Sequence, residues 1–272
     1  MPASPNTISK FPESFATAID EVLAGATYAN KYAVQGAEFV SGRTVNVPEI
    51  SFGSLTKPDD YDRFATEHGA TLTYTPYKLA NDKQMQFYVD AVEDADTAAI
   101  LTTQEVAQFE RTIFAPAIDT DFFAEAVKQA GASKVEASIT DVKASIRAMR
   151  SAFTEKGLAG GDLYCTSDVV AALENAVNRE FAGESAVTDM VGNYDGFNIY
   201  EVPAALLGNN VNFLGISGGT NTIRYITKRA VTYTFAPGTH TKGDGWLTQL
   251  RWVYGTVVYK NKKPGIYLSK KA

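Results

Sequence analysis

The stretch that most limits what this chain can fold into is 37–92. Within it Val45 and Val47 alternate with Thr44 and Asn46, and Met85, Phe87, Val89 and Ala91 alternate with Gln84, Gln86, Tyr88 and Asp90. Each run reads as a strand with one apolar face. Between them come two polar turn sequences, Lys57-Pro58-Asp59-Asp60-Tyr61-Asp62-Arg63 and Glu67-His68-Gly69, then a Thr- and Tyr-rich strand over 70–77. Apolar residues are too few here to make a core. Two arms of about ten residues, at roughly 3.3 Å per residue, would carry the polar tip about 30 Å from the body. A lone hairpin of that length is barely stable in water, so a neighbour should support it.

The flanking residues supply an arm and a body. Residues 1–36 read as the arm: Phe15, Ile19, Val22 and Leu23 lie at helical spacing, and Gly25 can stop the helix. Such a short amphipathic piece is marginal alone and needs a surface, which another subunit can provide. The longest helical candidate is 102–130, with Val106, Phe109 and Ile113 on one stripe and Phe122, Ala126 and Val127 on another. Pro116 lacks a backbone donor and should kink or divide this helix; Asp119 stands where an N-cap would restart it, and Gly131 ends it. Glu93, Asp94 and Asp96 lie just before its start, where negative charge complements the helix dipole.

Residues 134–223 read as an α/β unit. Asp141 opens a helix with Val142, Ile146, Met149 and Phe153 on one face, closed by Gly157. A short buried strand follows at 163–166; Ser167 caps a helix carrying Val170, Leu173 and Val177, and 196–203 and 211–214 are further strands. Beyond 224 the chain is mostly β: 224–235 alternates, and 246–259 reads as a strand pair with Gly255 as its bend or bulge.

Of the 272 residues, 45% are hydrophobic and 21% charged, which gives enough apolar material for a sizeable core and excludes disorder. The single cysteine, Cys165, cannot form an internal disulfide, so packing must supply the stability. No secretory signal is visible, and the longest uncharged run, 202–223, is interrupted by glycines and asparagines; a membrane span is not expected. Charge is uneven. Residues 224–272 hold ten Lys or Arg and one acid, a net of +9, while the remainder holds 15 basic and 30 acidic residues, a net of −15, which together make the overall −6. The split reads either as a solvated basic tail on an acidic body or as a basic surface that meets an acidic surface of another copy, since complementary patches steer association; the average negative field repels phosphate.

Familiar catalytic and metal patterns fail one by one. Gly215-Ile216-Ser217-Gly218-Gly219 matches Gly-x-Ser-x-Gly after a strand, but 220–232 is β-branched rather than helical, and no acid lies between Ser217 and His240. A flexible glycine turn is the better reading. With only His68, His240 and Cys165, no zinc or redox site can be assembled. Asp59, Asp60 and Asp62, or Glu93, Asp94 and Asp96, lack the calcium-loop spacing, and no phosphate-cradling or dinucleotide motif is present. No catalytic residue, cofactor or metal is therefore assigned. An arm, an overlong polar-tipped hairpin and opposed charge patches suit a chain built to touch its own copies.

In its order of elements the chain resembles the major capsid proteins of tailed bacteriophages, with the Hong Kong 97 phage fold. The resemblance covers nearly the whole chain and rests on Val45-Asn46-Val47-Pro48, Tyr61-Asp62-Arg63, Met85-Gln86-Phe87-Tyr88-Val89-Asp90, Glu110-Arg111 through Pro116-Ala117-Ile118-Asp119, Gly196-Phe197-Asn198-Ile199-Tyr200-Glu201-Val202-Pro203 and Trp252-Val253-Tyr254-Gly255. Length and composition look most like siphophages of Gram-positive hosts, lactococcal ones among them. The resemblance implies an α+β fold: an N-terminal arm at 1–36, an extended loop with flanking strands at 37–99, a peripheral-domain spine helix at 100–133, an axial α/β domain at 134–223 and return strands at 224–272. It also implies pentamers and hexamers of this chain forming an icosahedral head around non-specifically held double-stranded DNA, with a portal protein at one vertex. Only a short arm precedes the first strand, so a separate scaffolding protein is expected. The product would be a virion protein, assembled in the host bacterial cytoplasm, and not an enzyme. A loop lysine in some members of the family is linked covalently to asparagine; Lys57 is the only lysine between Lys31 and Lys78, and such a link is not expected here.

Contacts between copies are expected where the charges oppose. Lys57, Asp59, Asp60, Asp62, Arg63 and Glu67 lie near the hairpin tip, and Lys260, Lys262 and Lys263 are basic partners for its acids on another copy. Competing readings are an encapsulin-like nanocompartment shell, a hydrolase using Ser217, and a tail or host-binding protein.

Overall fold

The computed structural model describes residues 27–34, 39–41, 43–51, 70–92, 108–135, 141–176 and 190–271. The helix expected through Phe15 and Leu23, the hairpin-tip residues Lys57, Asp59, Asp60, Asp62, Arg63, Glu67 and His68, the acids Glu93, Asp94 and Asp96, and Val106 and Val177 lie outside them.

Three sheets organise the described residues. Strands β1 (Phe39–Ser41), β2 (Thr44–Ser51) and β3 (Thr71–Lys78) form an antiparallel ribbon, and β4 (Asn81–Asp90) returns from it to the body. The long strands β10 (Ile223–Phe235) and β11 (Gly245–Val258) pair antiparallel, with β4 on the free side of β11. The third sheet takes β5 (Ala132–Val135), β6 (Gly161–Cys165), β7 (Met190–Tyr194), β8 (Phe197–Glu201), β9 (Val211–Ile216) and β12 (Ile266–Lys270), in the order β5-β12-β9-β6-β8-β7. Helix α1 (Ala115–Gln129) lies against β11, whereas α2 (Val142–Thr154) and α3 (Ser167–Ala176) pack together on the six-stranded sheet; α4 (Ala204–Leu207) is a single turn.

The six-stranded sheet shows why the axial segment was legible. The carboxylate of Asp141 accepts the Ala144 N–H at 3.1 Å, capping α2, and Val142, Ile146, Met149 and Phe153 are buried at helical spacing. They face Leu163, Cys165, Phe197, Ile199 and Phe213, while the alternate residues Tyr164, Leu214 and Ile216 face a second cluster with α1. All six residues of β9 are therefore buried. Gly215 leaves room for the Met149 sulfur, which a Cβ there would overlap. The second cluster joins both body sheets around Phe122 and Phe123, each fully buried, and Trp252 stacks on Phe114 at 4.2 Å. Truncating one such phenylalanine to alanine costs about 3–5 kcal/mol.

Six sequence expectations are corrected. Pro116 does not divide the helix: it sits in the first turn of α1, preceded by a π-helical stretch, Glu110–Phe114, in which Ala115 N–H donates to Glu110 O five residues back. The widened turn accommodates the missing donor. Asp119 is consequently not an N-cap but a buried carboxylate within α1 that accepts the Ala29 N–H at 2.9 Å. Ser167 is already the first helical residue of α3, and the Thr166 carbonyl takes the Val169 and Val170 N–H groups. The 246–259 segment is one strand rather than a pair; its register irregularity sits opposite, between Thr227 and Arg229, and Gly255 lets Leu79 pass, its notional Cβ lying 3.0 Å from Leu79 Cα. Finally, the last strand, β12, leaves the return strands and enters the six-stranded sheet between β5 and β9. The end of the stretch read as an arm also belongs to the body: Ala29 and Tyr32, in a 3-10 turn (Ala29–Tyr32), are buried.

Candidate functional site

The ribbon of β2 and β3 is rooted in the body and apolar on a face that stays exposed among the described residues. Its register runs from Thr44 opposite Lys78 to Ser51 opposite Thr71. One face begins with Val45, which is buried with Leu79, Ile226 and Val257 and packed by Val47, Tyr77 and Tyr259. Polar ties reinforce this root. Arg251 grips Asp82 with two bonds, Nε to Oδ1 at 3.0 Å and Nη2 to Oδ2 at 2.8 Å, and Arg43 reaches the same carboxylate at 3.0 Å. Leu79 N–H donates to Arg43 O at 2.7 Å, and Lys260 N–H donates to Tyr77 Oη at 2.9 Å.

The opposite face, set by the period of two, carries Pro48 across from Tyr74 and Ile50 across from Leu72. Ile50, Leu72 and Tyr74 are 60%, 52% and 64% exposed. Sequence reasoning misses these three because the alternation of Val45 and Val47 marks the other face as the apolar one; the complementary parity, Pro48 with Ile50 and Leu72 with Tyr74, is the available signal.

Of the predicted contact residues, the structure brings Lys260, Lys262 and Lys263 together on one 3-10 turn (Lys260–Gly265) between β11 and β12. The turn is fixed by backbone bonds: Gly131 N–H donates to Lys263 O at 3.1 Å and Ser217 N–H to Gly265 O at 2.8 Å. Lys260 and Lys263, with Lys78, Thr75, Tyr77, Glu125 and Gln129, line a cleft of about 260 Å³ beside the ribbon root. Among the described residues no carboxylate forms an ion pair with Lys78, Lys260, Lys262 or Lys263. Lys78 was not singled out from the sequence, since only the strand pairing places it beside the turn.

Residues of catalytic type are poorly placed for catalysis. Ser217 is fully buried, its Oγ has no hydrogen-bond partner among the described residues, and the chain continues into a 3-10 turn (Gly219–Asn221) instead of the long helix of a nucleophile elbow. His240 is occupied elsewhere: Nδ1 accepts the Lys242 N–H at 3.2 Å, so Nε2 donates to Gly245 O at 2.8 Å. Burial pushes the Cys165 thiol well up, which suits an inert core cysteine. Among the described residues no group of three or more His, Cys, Asp or Glu could hold a metal, and no helix is long and apolar enough to cross a membrane.

No protein-family model and no curated protein matches the sequence. Solved structures match it over nearly its whole length. A chain from Mycobacterium phage Che8 superposes with a TM-score of 0.68 at 15% identity, covering 97% of this chain and 99% of its own. One from the capsid structure of the Cyanophage P-SCSP1u gives 0.71 at 12% identity over 96% of this chain and 93% of its own. The virus-like particle from Pyrococcus furiosus gives 0.56 at 11% identity over 90% and 92%. The chain has the α+β capsid-subunit fold of Hong Kong 97 type that its order of elements implied.

Proposed function

We propose that the chain is the major capsid protein of a tailed phage, forming pentamers and hexamers that close into an icosahedral head around double-stranded DNA. The observation that carries the reading is the likeness to a chain of the Cyanophage P-SCSP1u capsid, which covers 96% of this chain and 93% of that one. The fixed ribbon with an uncovered apolar face supports it, because closed shells need projecting parts that finish their burial on a neighbour. In this reading residues 37–99 form the extended loop, 100–133 the spine, 134–223 together with β12 the axial part, 224–265 the return strands, and the part of 1–36 before Tyr28 an intersubunit arm. Tip residues Asp59, Asp60 and Asp62 meet Lys260, Lys262 or Lys263 of another copy, with Lys57, Arg63 and Glu67 alongside. A scaffolding protein and a portal complete the assembly in the cytoplasm of a Gram-positive host, and the chain performs no catalysis.

Electron microscopy of the purified chain, with and without a scaffold, tests the proposal: closed particles are expected, and a monomer that never assembles under either condition overturns it. A second reading, an encapsulin-like shell, is favoured by one observation, the likeness to the virus-like particle from Pyrococcus furiosus. Particles purified with an enzyme cargo and no genome would select it.

A further inference from the structure

We propose that Asp162 is a positioning residue for shell geometry: through Lys31 and Tyr32 it fixes residues 28–34 across both body sheets and so sets the angle between them. The inference rests on the shell reading above. The segment is a single 3-10 turn, too short to hold its own shape, so what it touches determines where it sits.

It touches three elements. On α1, Ala29 N–H donates to Asp119 Oδ1 at 2.9 Å, the Tyr32 ring stacks on Phe122 at 5.2 Å, and Tyr28 meets Phe123 edge-on at 5.7 Å. On β10, Val34 N–H donates to Tyr225 O at 3.0 Å. On the six-stranded sheet the contacts converge on Asp162 of β6. Lys31 Nζ lies 2.5 Å from Oδ1 and 2.8 Å from Tyr200 Oη; Tyr32 Oη donates to Oδ2 at 2.6 Å and lies 3.0 Å from Tyr164 Oη. Asn198 Nδ2 adds a bond to Oδ1 at 3.2 Å, and Tyr28 Oη donates to Glu201 O at 3.1 Å.

Helix α1 is tied to the β10-β11-β4 sheet, because Asp121 Oδ2 takes both Lys83 Nζ and Tyr254 Oη at 2.6 Å. Apolar contact between the two sheets is non-directional and permits sliding. The Asp162 carboxylate is 5% exposed, and its donors are directional and charge-assisted, so they select one arrangement. Loss of Lys31 and Tyr32 would leave it with the Asn198 amide alone as a side-chain donor among the described residues. Subunits repeated many times in a shell convert a small change of angle into a change of curvature.

The experiment uses the full chain carrying Asp162→Asn, Lys31→Met, Tyr32→Phe or the conservative Lys31→Arg. Amide exchange is followed on unassembled subunits, and particle diameters are measured by cryo-electron microscopy. In Asp162→Asn and Lys31→Met, exchange at residues 29–34 should quicken at least tenfold while α2 and β9 stay protected, and particle diameters should broaden; Lys31→Arg should preserve both. Should Asp162→Asn fail to fold, Tyr32→Phe, which keeps the ring stack on Phe122, provides the same comparison. Unchanged exchange, or loosened variants that still build shells of one diameter, would overturn the positioning role alone. A wild-type chain that forms no shell would overturn the shell reading itself.

Discussion

Replacing Ile50, Leu72 and Tyr74 together by threonine should disable assembly while leaving the subunit folded. Full burial of a large apolar side chain is worth about 1.5–3 kcal/mol. These three still expose 60%, 52% and 64% of themselves, so a neighbour can remove from water only a little over half of each. That corresponds to about 1–1.5 kcal/mol per residue and roughly 3–4 kcal/mol per ribbon. Threonine retains strand propensity and a methyl group, which leaves a loss of about 2–3 kcal/mol per subunit contact. At about 1.4 kcal/mol per tenfold, the threshold concentration for particle formation should rise by roughly 30- to 100-fold. Light scattering across a concentration series reads that threshold, and negative-stain images identify the particles. Urea unfolding of the unassembled subunit is the control, with each surface change expected within about 0.5 kcal/mol. A triple variant that assembles within threefold of the wild-type threshold would refute the claim that this face is covered by another copy.

Reversing Lys260, Lys262 and Lys263 to glutamate should also raise the assembly threshold, and wild-type assembly should weaken from about 0.05 to 0.5 M salt, since exposed pairs are screened; salt-independent scattering would exclude the charge contact. Gly131→Ala should cost about 1–3 kcal/mol in urea unfolding, because its Cβ would overlap the Lys263 carbonyl and push the lysine turn away from the end of α1; an unchanged midpoint would show that the turn moves freely. Alkaline pH should destabilise the subunit. Burial, with Tyr164 and Asp162 nearby, raises Tyr32 well above the ordinary 10.0; burial also raises Tyr164 from 10.0 and Cys165 from 9.0. The unfolded chain loses these protons first, so the stability they contribute is intact below about pH 8 and falls above pH 10 by about 3–4 kcal/mol per pH unit when all three take part. Equal unfolding midpoints at about pH 8 and 10.5 would contradict that sign.

The elements legible in the sequence are those whose cause is local. Asp141 caps α2 and Val142, Ile146, Met149 and Phe153 repeat at helical spacing, so neither depends on a remote partner. The unreadable outcomes depend on one. Asp119 looks like a cap beside Pro116, yet its acceptor is used by Ala29, ninety positions away, and the π-helical turn removes the need for a restart. The run Ile266-Tyr267-Leu268 in β12 is apolar enough for any sheet; the parallel pairing with β5 and antiparallel pairing with β9 decide which. The candidate surfaces divide in the same way. Lysines 260, 262 and 263 stand out as charge in the sequence, but their fixed display requires Gly131 and Ser217 to bond the turn from other parts of the chain. On the ribbon, the buried parity of Val45 is read from alternation, whereas the exposed parity of Ile50, Leu72 and Tyr74 acquires meaning only once the body is seen to cover one face and leave the other. A strand with apolar residues on both parities calls for two partners. Among the described residues the subunit covers one face, and burial of the other on a second copy is what the threonine triple variant tests, as a question of assembly and not of folding.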